Sequence, residues 1–137
     1  MAIAVREYIK RGWKFGLVGI GGFIVNQGGL MLLVNLAEME VWLAGLIAIE
    51  VSIIANWFLN DSWTWRDRRT TPRIIRLLKY NLSAGFTAFF VNYPILILLS
   101  EKFGINYAIA NIIGIGFASL ANFLINHHWT YRDEEIL

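Results

Sequence analysis

The sequence predicts an all-α integral membrane protein: four transmembrane helices arranged as two parallel two-helix repeats, with short basic amphipathic interfacial helices before spans 1 and 3. Three observations predict it: an apolar composition, four apolar stretches of spanning length, and a twelve-residue pattern that occurs twice. Of the 137 residues, 57% are hydrophobic and only 16% charged, with a mean hydropathy of +0.53. Soluble domains carry about 25% charged residues. So little charge cannot cover a water-facing surface, and lipid must cover the rest. The same apolar content excludes disorder. The absence of cysteine removes disulfides, thiolate nucleophiles and cysteine-bound metal clusters.

Crossing a hydrocarbon core of about 30 Å takes roughly 20 mostly apolar helical residues. Four stretches qualify: Phe15–Leu36, Val41–Leu59, Leu82–Leu99 and Tyr107–Ile125. The first exceeds a typical signal core and a second span follows directly, so it is expected to stay in the protein. Ala37 to Glu40 and Ser100 to Asn106 are turns short enough to make antiparallel hairpins. The runs do not alternate apolar with polar residues, which argues against barrel strands.

Charge sets the orientation. Arg6, Lys10, Arg11 and Lys14 precede span 1; Arg66, Arg68, Arg69, Arg73, Arg76 and Lys79 lie between spans 2 and 3; Arg132 follows span 4. Only Lys102 falls on the other side. The positive-inside rule predicts a multi-pass plasma-membrane protein with both termini and the central loop in the cytoplasm.

Self-comparison yields the duplication. The stretch from Asn56 to Asp67 (NWFLNDSWTWRD) returns from Asn122 to Asp133 as NFLINHHWTYRD. Upstream, Gly19, Phe23, Val25 and Asn26 pair with Gly85, Phe89, Val91 and Asn92 at the same separation. A single domain over 1–137 is expected, with repeat 1 over about 1–67 and repeat 2 over about 68–137. An even number of spans per repeat keeps both in one orientation, an arrangement known among transporters.

A basic amphipathic segment precedes each repeat's first span. Thr71 is the expected N-cap and Pro72 the first helical residue of the second segment, which runs through Arg73, Arg76 and Lys79. Ile3 to Trp13 is similar. Such segments can anchor topology or bind lipid phosphate.

Polar residues at membrane depth form two stripes: Ala48, Ser52, Asn56 and Asn60 in span 2, and Gly114, Ala118, Asn122 and Asn126 in span 4. Close helix packing explains the small residues. The four asparagines lie toward the cytoplasmic ends, where a polar headgroup could also reach them. Glu50 is the one acid well inside a span and must be neutral, paired or facing a wet cavity. It can serve an asymmetric pathway or be protonated and hydrogen-bonded to Asn26 or Asn92. Pro94 is expected to kink span 3. His127 and His128 are adjacent and lack partners at ligand spacing, so no metal site is expected. No nucleophile–base set, phosphate-binding loop or dinucleotide fingerprint is present, and the sequence predicts no catalytic residue, no cofactor and no enzyme.

A basic residue followed by Phe15-Gly16-Leu17-Val18-Gly19, and Phe58-Leu59-Asn60 running into Trp63-Thr64-Trp65-Arg66, resemble the GtrA-like membrane proteins. The resemblance runs from about Arg11 to Arg132, with a second full copy of the signature at Asn126 to Arg132. Asp61-Ser62 departs from it, since basic residues are common there, and this argues against a phosphate contact at those two positions. The resemblance implies work on polyprenyl-phosphate-linked sugars: moving such glycolipids across the membrane, or supporting the glycosyltransferases that make or use them. A similar four-span module is fused to some dolichyl-phosphate mannose synthases.

On that basis the expected ligand is a polyprenyl-phosphate-linked sugar. Its phosphate would meet Lys10, Lys14, Arg66, Arg73, Arg76 or Lys79. Its sugar would bond the Asn56/Asn60 and Asn122/Asn126 amides near Trp63 and Trp129, with Arg132 beside the second set. Membrane lipids, a glycosyltransferase and a second copy of the chain are the other expected partners, and nucleic acid is not. The second functional class is a non-transporting anchor that recruits a glycosyltransferase. A proton-coupled exporter using Glu50 fits less well, because the charge bias is strong and the acid lies in span 2.

Overall fold

A computed structural model describes residues 1–132, all in helices and the turns between them. Asp133, the last residue of the second motif copy, lies outside the described residues. Four of the described helices are long and apolar enough to cross a membrane: Ala2–Asn35, Val41–Thr64, Arg73–Lys102 and Tyr107–Thr130, with mean hydropathy 1.8 to 1.9 over their most apolar windows. Only 11% to 22% of those windows is buried within the protein, so lipid or another chain must cover the remainder. The chain divides into two compact units, Met1–Arg69 and Thr70–Leu137.

In the first unit, α1 (Ala2–Asn35) is one unbroken helix of 34 residues, about 50 Å long. The basic segment from Ile3 to Trp13 is therefore its first turns and not a separate interfacial helix. No proline interrupts it, and Gly12 alone costs only about 1 kcal/mol in a helix. After a turn in which Glu38 takes φ 55°, α2 (Val41–Leu59) returns. A π-turn, Asn60–Thr64, extends it. Buried positions on α1 are Arg11, Phe15, Val18 and Gly22; on α2 they are Ala44, Ala48, Ser52 and Trp57. Gly22 lets the two helices close, because a Cβ there would strike the Asn56 amide.

In the second unit, α3 (Arg73–Thr87) continues through a π-turn (Ala88–Asn92) into α4 (Tyr93–Ile97) and a further π-turn (Leu98–Lys102). The basic segment is again part of the spanning helix. Pro72, not Thr71, is the N-cap. Pro94 has no N–H, and the π-turn just before it takes up that break in the ladder. Gly104, at φ 66°, turns the chain, and Asn106 caps α5 (Tyr107–Ile125) by accepting from the Ala108 N–H at 2.9 Å. A π-turn, Asn126–Thr130, ends the span.

The buried positions of the two units share their spacing. On α3 they are Arg76, Tyr80, Ser83 and Thr87, with the same intervals as Arg11, Phe15, Val18 and Gly22. On α5 they are Ala110, Gly114, Ala118 and Phe123, matching the α2 set interval for interval. The small-residue stripes read from the sequence are thus packing faces.

Gly114 tests that packing. A Cβ there would meet Asn92 Oδ1 and, at 2.9 Å, the Asn92 backbone oxygen, which cannot rotate away; Gly116 has nothing within 4 Å. Overpacking costs about 1–3 kcal/mol, more than the roughly 1 kcal/mol that alanine gains in helix propensity. Gly114→Ala is therefore expected to lower the thermal unfolding midpoint in detergent, while Gly116→Ala leaves it unchanged or slightly raised.

Candidate functional site: a basic cleft at the end of the first unit

The cleft forms where α2 stops. The π-turn after Leu59 is held by Thr64 Oγ1, which donates to Asn60 Oδ1 at 2.6 Å, and by the Trp65 N–H on the Asn60 carbonyl at 2.9 Å. The turn leaves the Thr64 carbonyl pointing at α1. Arg11, only 8% exposed, donates Nη1 to it at 2.7 Å. The same guanidinium grips Asp67 with both ends, at 2.9 and 2.7 Å, and its Nε donates to Glu7 at 3.0 Å. Arg68 closes the network on Glu7 at 2.6 Å. A buried guanidinium is tolerated only when it is paired and fully bonded, and this one is. Trp65, fully buried, packs edge-on to Phe15 at 5.9 Å.

Around that clamp lies a cleft of about 740 Å³ lined by Ile3, Arg6, Glu7, Lys10, Arg11, Lys14, Trp63, Thr64, Arg66 and Asp67. Five of these residues are basic and two are acidic. Trp63 meets Trp13 edge-on at 5.5 Å, and the Lys14 ammonium sits 5.3 Å from the Trp63 ring centre. The cleft can therefore offer an anion several cations and offer a sugar or isoprenoid an aromatic face.

The second unit repeats the pin. Thr130 Oγ1 donates to Asn126 Oδ1 at 2.7 Å, and Asn126 Nδ2 donates to the Asn122 carbonyl and Oδ1, both at 2.9 Å. Ser83 donates to Asn122 Oδ1 at 2.6 Å. The Lys79 ammonium again lies 5.3 Å from an indole, that of Trp129. A separate, mostly apolar groove of about 650 Å³ lies further along the second unit, lined by Leu82, Phe86, Phe90, Ile125 and Trp129 among others. Arg76 is buried and donates to the Thr71 carbonyl.

Of the residues expected at the site, the structure brings Lys10, Lys14, Trp63 and Arg66 together in the first cleft. Asn60 and Asn126 are 1% and 0% exposed and pin their own turns, so their amides do not face a headgroup. Asn56 packs on Gly22, with its Oδ1 buried and without a partner. Asn122 bonds Ser83, Arg76 is turned inward, and Arg73 and Arg132 are exposed. Glu50 is exposed on the outer side of α2. Arg11, Glu7, Thr64 and Asp67 were not among the expected site residues. Thr64 follows Asn60 by four and was legible as its partner, whereas Arg11 meets residues 53 and 56 positions away.

The Arg11 hydrogen bond is the largest influence on the Asp67 carboxyl, which is lowered from an ordinary 3.8 to about 2. A lowered carboxyl stabilises the fold above its unfolded value, and that contribution fades as pH falls through the folded value. Acidification from about pH 4 to pH 2 is thus expected to release the clamp. Measured by thermal unfolding in detergent, the unaltered protein loses stability over that window by more than Asp67→Asn does.

Comparison with known proteins places these features in a family. The GtrA/DPMS transmembrane domain matches residues 14–86 and 82–136. A dolichol-phosphate mannosyltransferase of Pyrococcus furiosus is 41% identical over 125 residues, covering 90% of this chain and 34% of that protein. An uncharacterised membrane protein of Bacillus subtilis, YngA, is 23% identical over 133 residues, 96% of this chain and 86% of that protein. The chain thus spans about a third of the length of the Pyrococcus relative. That relative is by name an enzyme, which overturns the expectation from the sequence that enzyme chemistry is foreign to this protein. The expectation rested on the lack of catalytic motifs in these 137 residues, which correspond to only part of the enzyme. Four apolar spans and two matched segments covering nearly the whole sequence settle the assignment: this is a multi-pass membrane protein, and the chain belongs to the GtrA/DPMS transmembrane domain family.

Proposed function

We propose that this protein binds a polyprenyl-phosphate-linked sugar and moves it across the plasma membrane for cell-surface glycoconjugate synthesis. The observation that carries the reading is the first cleft, where Arg6, Lys10, Lys14 and Arg66 surround an aromatic wall at the end of a lipid-covered hairpin. The phosphate sits among Lys10, Lys14 and Arg66, and the sugar lies against Trp63. The isoprenoid stays in lipid, so only the headgroup needs polar surroundings. A basic residue near an anionic headgroup contributes about 1 kcal/mol, enough for three or four of them to seat one phosphate. Charge bias supports cytoplasmic termini, with the cleft at the cytoplasmic leaflet. The shared spacing of buried residues supports a duplication. A homodimer would bring two such clefts to one carrier.

A second reading draws on the Pyrococcus relative: the domain holds the glycolipid for a glycosyltransferase, whether joined to it or recruited by it. The two readings differ in a vesicle assay. If the domain moves lipid, purified protein in liposomes speeds the transbilayer movement of a fluorescent polyprenyl-phosphate sugar above that of empty vesicles. Lys10→Gln with Lys14→Gln and Arg66→Gln then cuts the rate at least about ten-fold. A rate equal to empty vesicles removes the transport reading and leaves the holding one.

A further inference from the structure

The first cleft already contains anions of its own. Glu7 and Asp67 line it beside five cations, and both bond Arg11. Asp67 holds Arg11 by the two-pronged pairing that a phosphate would use, since the guanidinium fork fits carboxylate and phosphate alike. Its side chain is 66% exposed while that of Arg11 is 10% exposed. One partner is fixed in the protein, and the other can swing into water once another anion takes its place. Arg11 cannot be left bare, because an unpaired buried guanidinium is strongly destabilising.

We propose that Asp67 is a built-in stand-in for the ligand's phosphate, occupying Arg11 while the cleft is empty and giving it up when the headgroup arrives. The inference rests on the phosphate-binding reading of the cleft. It adds Arg11 as the deepest phosphate contact and assigns Asp67 the setting of affinity and release. When the phosphate leaves, Asp67 returns, so neither the loaded nor the empty protein buries a lone cation. A carrier gains from this exchange, since a headgroup bound to five uncompensated cations would leave slowly. Lys10, Arg6 and Arg66 form no ion pair among the described residues, so they are available to guide the incoming anion while Asp67 still holds Arg11.

The test is the binding of citronellyl phosphate, a short isoprenoid phosphate, to the protein in nanodiscs of neutral phosphatidylcholine. Tryptophan fluorescence follows the titration. Removing a competing exposed carboxylate is expected to tighten binding about five-fold, in Asp67→Asn and equally in Asp67→Ser, with slower release in both. A residue that merely braced the fold would weaken binding when removed, so the sign separates the two roles. If the unaltered protein binds and both variants bind equally or more weakly, the inference is overturned and the cleft reading stands. If neither the unaltered protein nor the variants bind, the phosphate reading falls and the inference falls with it.

Discussion

The end of each second helix must satisfy its last backbone groups at the edge of the bilayer, and the rest of the site follows from how it does so. In the first unit the chain widens into a π-turn pinned by Asn60 and Thr64, and the Thr64 carbonyl is met by Arg11 from the neighbouring helix. That bond ties the two helices at the end where the cleft opens. It also fixes a guanidinium beside Asp67 and Glu7, and the surrounding lysines and arginines complete a concentrated positive field. Without the turn, Arg11 would lose one of the partners that make its burial tolerable.

Two units built on the same interval of buried residues differ where their helices meet. The first carries Val18 where the second carries Ser83, and Ser83 gives the Asn122 oxygen a partner that the Asn56 oxygen lacks. Each unit has a lysine over an indole, and in the first unit that pair borders the basic cleft. Under the proposed duplication, the shared scaffold keeps the Lys–Trp pair. The exposed Glu50 on α2 and the largely uncovered helix faces leave room for contacts beyond the chain.

Much of the fold was legible in the residues. Val41–Leu59 and Tyr107–Ile125 are helices with the bounds that hydropathy set, because a long apolar run without alternation satisfies its backbone in lipid as a helix. The small-residue stripes were equally plain. Register in the third span was not. Gly19 and Gly85 align in sequence, yet the buried sets place Arg76 against Arg11 and Thr87 against Gly22, one residue out of step. The π-turn at Ala88–Asn92 inserts that extra residue, and sequence periodicity cannot see a one-residue bulge. Asparagines near a membrane end are expected to face a headgroup, since polar side chains there are within its reach. Local four-residue bonds to threonine claim Asn60 and Asn126 instead. The clamp at Arg11 depends on contacts more than fifty residues apart, which no local pattern encodes.

The central claim is that the first cleft receives the phosphate end of an isoprenoid lipid, and photocrosslinking reads it most directly. A polyprenyl phosphate carrying a diazirine next to its phosphate, irradiated with the protein in nanodiscs and mapped by mass spectrometry, should label α1 around Lys10 and Lys14 and the Trp63 turn. Labelling should fall when unlabelled polyprenyl phosphate competes. Crosslinks confined to the second unit, or spread evenly over the apolar helix faces without competition, would contradict the account.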